Sequence, residues 1–148
     1  MKRIGTLCAG LLFGACALLQ AQSLAHPLTG IWQQLERQQT EDNNIKLYAM
    51  PVWKLIQTDG NFSLIVIPPK SNASFKTTEG TYTIDTDSTY TETIGKSAMN
   101  PSIEGTKTNL KYKLFDDEML IISYKLANSK KEGREIWKRV SLPKPQNN

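Results

Sequence analysis

Glu92 is the residue whose setting most invites a chemical reading. It stands in Thr89-Tyr90-Thr91-Glu92-Thr93-Ile94, where threonines alternate with Tyr90, Glu92 and Ile94, the period of a half-buried strand. An isolated buried carboxylate is very costly, so this acid must be paired, hydrogen-bonded or at an open rim. Its expected partners are Arg139 or tyrosine hydroxyls. Glu92 with a tyrosine is the one acid/base pair the spacing offers. The other routes to catalysis lack their parts, because the chain holds 1 His and 2 Cys. His26 lies near the start, and Cys8 and Cys16 fall in an apolar N-terminal run, so the body has neither residue. That removes a Ser/His/Asp triad, a Cys/His pair, a zinc site and a disulfide framework. Asp116-Asp117-Glu118 lacks the spaced ligands and Gly of a calcium loop and reads as a polar turn. We therefore expect no catalytic residue, no metal, no cofactor and no enzymatic activity.

The elements that must position Glu92 and the tyrosines are strands. Runs rich in Thr, Tyr, Ile, Val, Phe and Trp recur from Ile31 onward, at 31–37, 46–48, 52–57, 62–67, 81–85, 89–94, 109–115, 119–126 and 134–140. Eight or nine short strands with this spacing predict an antiparallel sandwich or barrel. Thr58-Asp59-Gly60-Asn61, Asp85-Thr86-Asp87-Ser88 and Asp116-Asp117-Glu118 read as tight turns, which predicts a meander. Longer connections fall at 38–45, 68–76 and 95–107, and loops of this kind carry specificity more often than scaffold does.

The N-terminus has the parts of a secretory signal: Met1-Lys2-Arg3, an apolar run from Ile4 to Leu19, then Gln20-Ala21-Gln22. The reading divides the chain into a signal peptide at 1–21, a linker at 22–29, the barrel at 30–142 and a disordered tail at 143–148. The expected location is periplasmic or secreted, with lipoprotein processing at Phe13-Gly14-Ala15-Cys16 as the alternative. No run is long enough to span a bilayer comfortably. The formal charge of +4 includes Lys2 and Arg3 of the leader, and so small an excess gives no reason to expect a nucleic-acid partner.

Gly30-Ile31-Trp32 opens the first strand and Trp137-Lys138-Arg139 lies in the last. In this the chain resembles the calycin superfamily, where a Gly-x-Trp begins an up-and-down barrel and a basic residue of the last strand packs over the Trp. Gly30-Ile31-Trp32-Gln33, Asp59-Gly60-x-Phe62, Gly80-x-Tyr82, Tyr90-Thr91-Glu92 and Glu135-Ile136-Trp137-Lys138-Arg139-Val140 are similar to an exported bacterial lipocalin-like family, domain of unknown function 4488. The resemblance covers nearly the whole body. It implies an all-β, antiparallel up-and-down (meander) calycin/lipocalin-like β-barrel of about eight strands, closed by Gly30, Trp32, Trp137 and Arg139. It brings no established activity.

Alternation then places Trp53 with Leu55, Tyr82 with Ile84, Tyr90 with Glu92 and Ile94, Leu110 with Tyr112 and Leu114, and Leu120 with Ile122 and Tyr124 inside such a barrel. Trp53, Tyr82, Tyr90, Glu92, Tyr112 and Tyr124 are the expected ligand-binding residues. The expected partner is a small hydrophobic or amphipathic ligand in the lumen. The alternative is a filled barrel whose loops dock to an envelope protein.

Overall fold

Eight antiparallel strands form a closed barrel in chain order in the computed structural model, which describes residues 25–125 and 132–141. The strands are β1 (Gly30–Gln39), β2 (Ile45–Ile56), β3 (Asn61–Val66), β4 (Phe75–Thr86), β5 (Thr89–Ser97), β6 (Lys107–Phe115), β7 (Met119–Lys125) and β8 (Glu132–Arg139). The expected meander barrel is therefore the observed one. One 3-10 turn, Pro101–Ile103, is the only helical element among the described residues. No helix there is long and apolar enough to cross a membrane. The proposed signal peptide, lipoprotein Cys and C-terminal tail lie outside the described residues.

One end of the barrel is closed by tight hairpins. Gly60 turns the β2–β3 hairpin at φ 84°, and the Asp59 carboxylate accepts the Asn61 N–H at 3.0 Å. Asp116 and Asp117 both take left-handed backbone at the β6–β7 turn, a conformation short polar side chains tolerate. The opposite end carries the longer connections.

The separate runs expected at 46–48 and 52–57 are one strand, β2. Pro51 lacks a ladder N–H, yet its carbonyl accepts from Ile67 at 2.9 Å, and the β1–β2 register shifts nearby between Gln33 and Leu35. The chain passes its proline at an irregularity, which is where strands admit one. β4 starts at Phe75, earlier than the run at 81–85 suggested. Its Gly80 lies so close to β5 that a Cβ there would stand 2.1 Å from the Thr93 carbonyl oxygen.

The core fills the hairpin end. Leu28, Trp32, Phe62, Tyr90, Leu120, Ile122 and Trp137 are all buried. Leu28, in the segment read as a linker, plugs this end, and its carbonyl accepts the Trp32 indole N–H at 2.8 Å. Closure is shorter than the strands that make it. β1 pairs with β8 only from Trp32 to Leu35, against Arg139 to Ile136. Toward the loop end, residues 36–39 of β1 pair only with β2, and residues 132–135 of β8 only with β7. The seam is thus sealed at one end and split at the other.

Candidate functional site

The sealed end is held by the residues expected to close the barrel. The Arg139 guanidinium stands 4.1 Å from the Trp32 ring centroid. It donates to the carbonyls of Thr29 at 2.7 Å, Pro27 at 2.5 Å and Asp117 at 2.5 Å. One side chain thereby ties the N-terminal strap and the last hairpin to the seam. Gly30 leaves room for it, because a Cβ there would stand 2.5 Å from a guanidinium nitrogen. Gly30 and Trp32 lie against Arg139 at this end, and Trp137 pairs with Gln34 across the β1–β8 seam.

Arg139 is therefore not the partner of Glu92. Lys54 is: its ammonium lies 2.5 Å from the Glu92 carboxylate, with Lys54 3% and Glu92 8% exposed. The Tyr90 hydroxyl donates to the same carboxylate at 2.9 Å, so the tyrosine half of the expectation holds. The ammonium also lies 5.3 Å from the Phe62 centroid, 5.7 Å from Trp137 and 6.0 Å from Tyr90. An aromatic box with a carboxylate is a good host for a cation, and here the chain supplies its own. Burial raises the Tyr90 hydroxyl well above the usual tyrosine range, reinforced by the charge of Glu92, its hydrogen bond and the charge of Glu135.

This pair corrects the parity read for β2. Trp53 and Leu55 were expected inside; Val52, Lys54 and Ile56 take that face, leaving Trp53 and Leu55 on the outer one. Both faces of the run are apolar, so hydropathy alone favoured placing the lysine outside. Glu92 and the three aromatic faces reverse that preference by pairing the charge.

The other expected lumen residues divide between the two ends. Tyr82 packs edge-to-face on Tyr90 and donates to the Gln57 carbonyl at 2.6 Å. Tyr112 packs likewise on Tyr90 and on His26. Its hydroxyl is raised by burial and then by the nearby charge of Asp87. Both rings help to close the hairpin end. A cleft of about 570 Å³ at this end is lined by His26, Thr29, Thr58, Gly60, Tyr82 and Ile84 among others.

Tyr124 belongs to the open side. Its neighbour Glu135 accepts the Trp137 indole N–H at 3.0 Å. Burial, then the charge and hydrogen bond of Glu135, raise the Tyr124 hydroxyl, while Lys54 opposes them. The ring lies on Gly133, where a Cβ would meet it at 2.5 Å. Glu135 also lines a cleft of about 390 Å³ at the split seam, with Gln34, Leu35, Glu36, Arg37, Met50, Arg134 and Ile136. Among the described residues no Lys or Arg pairs with Glu135. No group of metal-ligating residues occurs among them either.

Sequence reasoning missed Lys54 and Glu135 as site residues. Glu135 was within reach by parity, since it alternates with Trp137 and Arg139, both expected at the closure. Lys54 was not, because its strand is apolar on both faces.

A family model described as domain of unknown function (DUF4488) matches residues 27–147. No curated protein matches the chain.

Proposed function

We propose, starting from a chain that belongs to the DUF4488 family, that it is an exported, non-enzymatic barrel of calycin type that binds one small, partly apolar molecule. The Arg139–Trp32 stack between last and first strands supports the calycin kinship. The ligand is taken at the split seam and not deep in the lumen. The observation that carries this is the division of the interior. At the hairpin end Leu28, Trp32, Tyr90, Leu120 and Trp137 fill the barrel, and Lys54 occupies the aromatic box. At the loop end the β1–β8 ladder stops, and the cleft beside it joins the apolar Leu35, Met50 and Ile136 to the polar Gln34 and Glu135. Pockets that combine apolar walls with a few fixed polar groups are the usual form of small-molecule sites.

The test is a screen of lipids, sterols, bile-acid-like amphiphiles and glycans by native mass spectrometry and tryptophan fluorescence. A one-to-one complex lost on Leu35→Arg, with the fold retained by circular dichroism, is the expected result. Binding by no compound, or binding indifferent to Leu35, would overturn the reading.

A second reading, docking to an envelope protein, is favoured by exposed apolar side chains at the loop end. Ile45, Leu47 and Tyr48 project from β2, with Phe75 and Met99 nearby in chain order to the connections expected to carry specificity. Retention of the purified domain by cell-envelope extract, lost on Leu47→Asp and Tyr48→Ser, would support it.

A further inference from the structure

The barrel shows how it holds an ammonium group. Lys54 places one against the Glu92 carboxylate and the faces of Phe62, Tyr90 and Trp137, with Tyr90 donating to the same acid. Glu135 repeats half of that arrangement. Its carboxylate accepts the Trp137 indole N–H at 3.0 Å, and its charge helps to raise the nearby Tyr124 hydroxyl. Trp137 thus serves both acids, with its ring toward Lys54 and its N–H toward Glu135. The difference is the cation. Glu92 has one, whereas Glu135 pairs with none among the described residues and lines the seam cleft.

A neutral donor fixes a carboxylate in place without adding a cation to it, and an ionised carboxylate has room for about four hydrogen bonds. The cleft wall continues outward over Leu35, Met50 and Ile136. Arg37 and Arg134 line the same cleft but are exposed, so water and salt screen them more strongly than the interior acid.

We infer that Glu135 is the anchor of a ligand site for a primary ammonium group carried on an apolar stem, with the head on Glu135 beside Tyr124 and the stem along Leu35, Met50 and Ile136. This rests on the small-ligand reading above and names the head group that reading leaves open. It also distinguishes the two carboxylates of the interior: Glu92 serves the fold and Glu135 serves the ligand.

The experiment uses three probes that differ only in the head: hexylamine, hexanol and hexanoate, titrated by calorimetry into the wild-type chain and Glu135→Gln. Gln keeps the size and an acceptor for Tyr124 or Trp137. Hexylamine should bind at least about tenfold more tightly than either other probe. Its affinity should fall about tenfold or more in E135Q, and should weaken with added salt while that of hexanol does not. The salt arm needs only wild-type protein and so stands even if E135Q folds poorly. Equal binding of hexylamine and hexanol, unchanged in E135Q, would overturn the anchor while leaving the small-ligand reading intact. Preference for hexanoate would overturn it in favour of the arginines. Binding by none of the three at millimolar concentration would overturn the ammonium site, while the small-ligand reading stands or falls by the wider screen above.

Discussion

Replacing Lys54 by Met keeps the stem among Phe62, Tyr90 and Trp137 but removes the ammonium 2.5 Å from Glu92. Glu92 is then a buried carboxylate whose remaining donor is Tyr90, at 2.9 Å. Breaking a buried pair by deleting one partner costs about 3–5 kcal/mol, because the other charge stays behind unpaired. The retained Tyr90 bond puts the expectation toward the lower half of that range, and the lost cation–aromatic contacts push it back up. Against a total stability of roughly 5–15 kcal/mol this is a large loss. It corresponds to a fall in Tm of roughly 10–20 °C for a domain of this size. Adding Glu92→Gln removes the stranded charge while keeping an acceptor for Tyr90. The double variant should therefore recover to within about 2 kcal/mol of wild type. Urea unfolding of wild type, K54M, E92Q and the double variant at neutral pH gives the cycle. A K54M cost below about 1 kcal/mol, or a double variant as unstable as the two single losses added together, would refute a pair buried on the inner face of β2.

Arg139→Ala should cost about 2–4 kcal/mol in urea unfolding, because three carbonyl acceptors and the face of Trp32 lose their partner together. The same change should make the strap near Pro27 sensitive to limited proteolysis. Gly133→Ala drives a methyl into the Tyr124 ring. It should destabilise by about 1–3 kcal/mol, and NMR of the Tyr124 ring should report its displacement from Glu135. In alkali, Tyr90 and Tyr124 keep their protons in the folded state after the unfolded chain would release them, since both are raised. Their contribution is complete below the unfolded tyrosine value of about 10 and is lost as pH rises through the folded values. Urea midpoints should therefore fall above about pH 10, and less steeply in Tyr90→Phe.

The barrel was legible because its strands have wet and packed faces. Leu110, Tyr112 and Leu114 alternate with Lys111 and Lys113, and their inward placement followed from period 2 alone. Gly30, Trp32 and Arg139 were named through the resemblance to the calycin pattern, whose physical reason is that first and last strands of a barrel must meet. β2 was not legible, since Val52-Trp53-Lys54-Leu55-Ile56 offers a large apolar residue to either face. A shift of one residue turns every side chain over, and the information that sets the parity sits on β5, in Glu92. The site was half legible for a similar reason. Tyr124 was named from alternation, but its neighbour Glu135 lies on β8, and the cleft that Glu135 lines sits where the β1–β8 ladder ends at Leu35 and Ile136. Where a ladder stops is decided by how strands diverge in three dimensions, which no local pattern records.

The packed core at the hairpin end should direct a ligand to the split seam. A backbone amide NMR titration with hexylamine and with hexanol tests it most directly. Shift changes should cluster at Gln34 to Arg37, Met50 and Arg134 to Ile136, with Leu110, Leu120 and Ile122 unmoved. Changes centred on those three core residues, or on Trp53 of the outer face, would contradict it.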